Sequence, residues 1–86
     1  MTAKVLVDSD LEASRFLKCV AKAVASRRTE LGLSQQELAA RSGLHRAYIS
    51  DLERGARNIS LINTYKLALA LELSPSRLID LGESNM

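Results

Sequence analysis

The sequence is poor in cysteine, proline, glycine and aromatic side chains. One cysteine in 86 residues excludes an intrachain disulfide framework and a cysteine-based zinc site, since both need several sulfurs. One proline, four glycines, two tyrosines, one phenylalanine and no tryptophan argue against a β-sandwich, which is rich in turns and β-forming side chains. No apolar run reaches the ~18 residues of a membrane span. Residues 1–10 have neither a basic start nor a long apolar stretch, so no signal peptide is expected. With a single cysteine, this predicts a reducing, cytoplasmic compartment. One histidine and no cluster of ligating residues predict no metal and no cofactor. Asp51 and Glu53 stand two apart on a helical stretch and do not face each other, so they make no acid–base pair. A phosphate-cradling glycine loop is also missing. An enzyme therefore lacks its parts.

What is present describes one small folded domain. Apolar residues make up 47% and charged residues 26% of the chain, which is ordinary globular composition. A domain of this size buries only about 60–65% of its unfolded surface, so a partner subunit is expected to add stability. The net charge is only +2, but it is unevenly placed. Residues 13–33 carry Arg15, Lys18, Lys22, Arg27 and Arg28 against Glu30 alone. Residues 34–59 are weakly positive, and both ends of the chain are negative. An anionic partner would meet the middle of the chain, although a solvated helical face has the same pattern.

Helical spacing accounts for most of the chain. Residues 1–9 read as a tail, with a short strand conceivable at residues 4–7. From Asp10 or Leu11 to Leu31, the residues Leu11, Phe16, Val20, Val24 and Leu31 recur at near-helical intervals, and Gly32 suits a left-handed C-terminal stop. Ser34-Gln35-Gln36-Glu37 is a capping box. It opens a short helix with Leu38 and Ala39 inward and a stop at Gly43. Leu44 and His45 then open a third helix, which runs to Arg54 and stops at Gly55. One face of it holds Tyr48, Ile49 and Leu52, with His45 beside them; Arg46, Ala47, Ser50, Asp51 and Arg54 lie opposite. Ser60 caps a fourth helix through Leu71, apolar nearly all round, which predicts burial on more than one side. Ser74-Pro75 starts a fifth, closed by Gly82, with residues 83–86 as a tail.

Two short helices across a tight turn, Gln35 to Arg54, form the informative unit. Ala39 lies where they should approach most closely, and Ile49 and Leu52 pin the second helix to the core. Its other face stays polar and short-chained, which suits the DNA major groove, about 12 Å wide.

Leu33-Ser34-Gln35-Gln36-Glu37-Leu38-Ala39, then Ser42-Gly43-Leu44, then Tyr48-Ile49-Ser50-Asp51-Leu52-Glu53-Arg54-Gly55 resembles the helix-turn-helix of the XRE/Cro/lambda-repressor family. With Arg46, Tyr48 and Ser50, the stretch Arg57-Asn58-Ile59-Ser60-Leu61 is similar to the controller proteins of restriction–modification systems. The resemblance covers about residues 20–80. It implies an all-α, five-helix, lambda-repressor-like DNA-binding domain over residues 10–82, with the helix-turn-helix at 35–54, acting as a symmetric dimer. Arg27 departs from the family, which often has an apolar residue there. Asp51 puts a negative charge on the groove face, and the first helix starts early.

Roles follow by position. Arg46, at the start of the recognition helix, is placed to pair with guanine. Ala47 suits a thymine methyl and Ser50 a base or phosphate. Asp51 either accepts from cytosine N4 or orients Arg46 or Arg54 through a salt bridge, the second being favoured because phosphates repel a carboxylate. Gln35, at a helix N-terminus, is a phosphate candidate, as are His45, Tyr48, Arg54, Arg57 and Asn58. The resemblance implies an interhelical ion pair between Arg28 and Glu53. Tyr65, Leu69, Leu73, Leu78, Ile79 and Leu81 are the candidates for a dimer interface, several of them being core instead. Cys19 reads as a small helix-face residue. The expected function is a sequence-specific transcriptional regulator, a homodimer on a palindromic operator of double-stranded DNA. The rivals are an antitoxin that binds DNA and a toxin partner, and an adapter that has lost groove reading.

Overall fold

A computed structural model describes residues 9–86; residues 1–8, with the strand considered at 4–7, lie outside the described part. Five helices follow one another, and no strand occurs among the described residues: α1 Ser9–Glu30, α2 Gln35–Ser42, α3 Arg46–Glu53, α4 Leu61–Ala70 and α5 Pro75–Ser84. The fold is all-α, as expected.

The local chemistry sets most boundaries. At α2 the capping box closes in both directions: Glu37 N–H donates to Ser34 Oγ at 3.0 Å, and Ser34 N–H donates to Glu37 Oε1 at 2.8 Å. Gly43 ends α2 at φ 75, and its N–H donates to the Ala39 carbonyl. Ser60 and Ser74 cap α4 and α5 through Asn63 N–H and Arg77 N–H. The third helix is shorter than expected. His45 is its N-cap, without a side-chain bond, and Leu44 lies before it, packed on the core.

The core gathers where the helices cross. Leu38, Ile49, Leu52, Leu67, Leu71 and Leu78 are fully buried, and burying such a side chain contributes about 1.5–3 kcal/mol. Leu78 was expected as a candidate for the dimer interface; it belongs to the core instead. Leu73 and Leu81, from the same set, are partly buried against that core.

Two more expectations are corrected. Leu11, in the apolar series of α1, is 67% exposed; the first buried residue of that helix is Val20. Gly82 does not stop α5, which continues to Ser84. Gly82 is buried against α1, and a Cβ there would lie 2.4 Å from Val20 Cγ2 and 3.1 Å from Val20 Cα. The glycine is required by the close approach of α5 to α1.

The end of α4 is held from two sides. Arg27 Nε donates to the Leu71 carbonyl at 2.9 Å, and Arg41 Nη1 donates to the Ala70 carbonyl at 3.2 Å. The arginine that departs from the family's apolar residue thus serves carbonyls that a helix end leaves without partners.

Candidate nucleic-acid interface

The α2–turn–α3 unit is held by packing and by hydrogen bonds across its turn. Ala39 is buried between the helices. The nearly buried Ser42 hydroxyl donates to the Ala39 carbonyl and accepts from Leu44 N–H, both at 3.3 Å. Ile49 and Leu52 lock α3 onto the core, leaving Arg46 and Ala47 exposed and Ser50 and Asp51 half-buried on the outer face.

The C-terminal end of α3 is clamped to α1. Arg28 Nε donates to Glu53 Oε2 at 2.7 Å and Arg28 Nη2 to Glu53 Oε1 at 3.0 Å. A third donor, Arg28 Nη1, reaches the Leu33 carbonyl at 2.8 Å. The two side chains are 19% and 8% exposed. The hydrogen bond with Glu53 raises the Arg28 pKa above its ordinary value; burial opposes this and the Glu53 charge adds to it. The geometry expected for this pair is therefore present. Gln35 joins it, its Nε2 donating to Glu53 Oε1 at 3.0 Å. One carboxylate thus ties α1, α2 and α3 together, with the Gln35 amide held at the start of α2.

The outer face carries a second network. Asp51 pairs with Arg54, and its other oxygen lies 3.8 Å from Arg57 Nη1. Arg54 Nη1 also donates to Ser50 Oγ at 3.0 Å. Arg57 lies 5.2 Å above the Tyr48 ring centre, within cation–π range. The Tyr48 hydroxyl donates to the Asn58 carbonyl at 3.3 Å. Gly55, at φ 74, turns the chain back beneath α3, and Ala56 N–H donates to the Asp51 main-chain carbonyl at 2.9 Å. Arg46 stands outside this network and has no ion pair among the described residues. His45, exposed beside it, lies at the same end of α3.

Another surface is apolar. On α4, Thr64, Leu67, Ala68 and Ala70 turn inward. Leu61, Ile62, Tyr65 and Leu69 turn outward, at 86%, 68%, 56% and 52% exposure. A groove of about 420 Å³ runs beside them, between Leu61 and Tyr65 on α4 and Pro75 and Ile79 on α5. Of the six residues proposed from sequence for an interface, Tyr65, Leu69 and Ile79 reach this side. Leu61 and Ile62 were missed; the signal was the apolar character of α4 all round, which does not say which leucine faces out.

The helix-turn-helix family profile matches residues 24–78. This chain belongs to the helix-turn-helix family. The resemblance to XRE-type regulators and to restriction–modification controller proteins is borne out. The chain is 48% identical over 54 residues to control protein C.BamHI from Bacillus amyloliquefaciens, which covers 63% of this chain and 67% of that protein. Its fold is similar to the restriction–modification controller protein C.AhdI from Aeromonas hydrophila, with TM-score 0.70, 47% identity and coverage of 72% of this chain and 94% of that one. It is also similar to the controller protein C.Esp1396I, seen as a tetramer in complex with its natural 35 base-pair operator. There the TM-score is 0.75 at 30% identity, with 80% of this chain and 91% of that one covered.

Proposed function

We propose that this chain is a sequence-specific transcriptional regulator that binds double-stranded DNA as a homodimer on a palindromic operator, with α3 in the major groove. The observation that carries the reading is the state of the arginines at α3. Arg54 and Arg57 are engaged with Asp51, whereas Arg46, on the first turn, projects free and exposed. A guanidinium with an open donor fork at the start of a groove helix fits guanine O6 and N7, a contact worth about 1–3 kcal/mol of discrimination. Ala47 and Ser50 flank it as further base contacts. Gln35, His45, Tyr48, Arg54, Arg57 and Asn58 surround it as phosphate contacts, setting register rather than sequence. No catalytic role is assigned, and a cytoplasmic setting accompanies the reading.

The dimer is proposed through the outward side of α4 and the adjoining edge of α5: Leu61, Ile62, Tyr65, Leu69 and Ile79. Four large side chains in the open on one helix are unusual for a monomer. A two-fold axis through this face would pair it with itself and set two α3 helices in successive major grooves, about 34 Å apart. The tetrameric, operator-bound state of the related controller protein supports self-association on DNA.

The test is selection of the purified protein against a random duplex library at about 150 mM salt. The expected outcome is an enriched two-fold symmetric motif with half-sites about ten base pairs apart, lost on Arg46→Ala. Salt-sensitive binding without an enriched motif would overturn the proposal in favour of an adapter.

A further inference from the structure

Ser50, Asp51, Arg54, Arg57, Tyr48 and Asn58 form one connected network, and a single carboxylate sits at its centre. Asp51 Oδ1 engages Arg54 and Oδ2 faces Arg57 at 3.8 Å. Both guanidiniums are more than half exposed, whereas the Asp51 side chain is 34% exposed. Its position is fixed twice over: by α3, and by the turn whose Ala56 N–H donates to the Asp51 carbonyl. Arg46 lies outside this arrangement.

The charge arithmetic gives the carboxylate a task. Two unpaired arginines at the end of a groove helix would bind any phosphate backbone, because that attraction grows with the number of phosphates neutralised and ignores sequence. Asp51 offsets one of those two charges and fixes the direction of both. Reading a base is a poor use for it, since each carboxylate oxygen already faces a guanidinium and a cytosine amino group would have to displace one.

We propose that Asp51 is a specificity-determining positioning residue: by holding Arg54 and Arg57 it suppresses binding to non-operator DNA and leaves discrimination to the base-contacting side chains, Arg46 first. This rests on the DNA-binding reading above.

The experiment compares wild type, Asp51→Asn, Asp51→Ser and Asp51→Glu on two labelled duplexes, the selected motif and a shuffled version of it, across a salt series. Asp51→Asn should bind the shuffled duplex roughly fivefold more tightly, the upper range for releasing an exposed pair. Its slope of log affinity against log salt on that duplex should steepen by about one per protomer. On the selected motif Arg54 and Arg57 already meet their phosphates in register under the proposed reading, so affinity there should change less and the ratio between the two falls. Asp51→Ser carries the same expectation and serves if the asparagine variant fails to fold. Asp51→Glu, which keeps the charge, should retain the shallow slope. An unchanged ratio in both neutral variants overturns the proposal. So does a loss confined to one base pair of the half-site, which would make Asp51 a direct reader. Wild type without preference for the selected duplex sinks the DNA-binding reading itself; preference with an unchanged ratio sinks the role of Asp51 alone.

Discussion

The outer faces of α3 and α4 are both exposed, and they are built in opposite ways. On α3 most polar groups are already engaged: on the outer face Asp51 with Arg54 and Arg57 and Ser50 with Arg54, and behind that face the nearly buried Glu53 with Arg28 and Gln35. On α4 the exposed side chains Leu61, Ile62, Tyr65 and Leu69 are large and apolar. Charged groups in water need direction before they can recognise anything, so a polar recognition surface must be organised within its own chain. An apolar surface needs only shape and a copy to cover it. The two faces should therefore respond differently to substitution: damage to the polar network spreads into the fold, and damage to the apolar face stays outside it.

The largest effect is expected at the clamp. Arg28→Met leaves the Glu53 side chain, 8% exposed, with only Gln35 as partner. Stranding a buried charge costs about 3–5 kcal/mol, and thermal or urea unfolding of the variant reads it. The double variant Arg28→Met/Glu53→Leu should recover most of the loss, since a well-packed apolar pair is often as stable as the ion pair it replaces. If the single variant melts like wild type, the polar face does not organise the fold and the contrast with α4 fails.

The next effect belongs to α4. Leu69→Glu places a carboxylate on an open surface of the protomer, so protomer stability should move by no more than about 0.5 kcal/mol. In a two-fold dimer the substitution occurs twice at the contact, and dimer affinity should weaken about 100-fold, at roughly 1–3 kcal/mol per poorly compensated polar group. Sedimentation across a concentration series measures it. Unchanged self-association would remove this side of α4 from the interface and leave its exposed leucines without an assigned partner.

The parts legible in the sequence are those decided over a few residues. Ser34 and Glu37 announce their own hydrogen bonds by spacing, and Gly32, Gly43 and Gly55 adopt the positive φ that their stop positions imply. Arg28–Glu53 could be placed only through the family resemblance, since 25 residues separate them. What stayed hidden depends on tertiary approach. Gly82 looks like a helix stop, but its task is to admit Val20, and both tasks are written with the same residue. Leu78 and Leu69 have the same side chain on neighbouring helices, yet one is fully buried and the other half exposed; which way each helix rolls is set by the whole core. Arg27 reaches a carbonyl 44 residues away. On the outer side of α3, Arg46, Ser50, Asp51 and Arg54 could be grouped by helical phase alone, but the sharing of Asp51 between Arg54 and Arg57 needed the turn at Gly55.

The smallest effect tests whether the polar network at the start of α2 is local, as its spacing implies. The Glu37 carboxylate is held below its ordinary range, first by the Ser34 backbone N–H and then by the Ser34 side chain, with a smaller pull from the Arg41 charge. A carboxyl whose pKa is lower folded than unfolded contributes stability above its unfolded value of about 4.3, and that contribution drains away as the pH falls through the folded value. Wild type should therefore lose part of its stability on acidification below about pH 4.3 through this group. Glu37→Gln keeps a side chain that can accept from the Ser34 N–H but cannot titrate, so its stability should fall less steeply over the same acid range. Because Glu37 is exposed, the contribution is small: the variant should sit slightly below wild type at neutral pH, and the two should converge as the pH falls. Melting curves at several acidic pH values decide it. Parallel slopes would mean that the capping box holds by geometry alone and that its charge adds nothing.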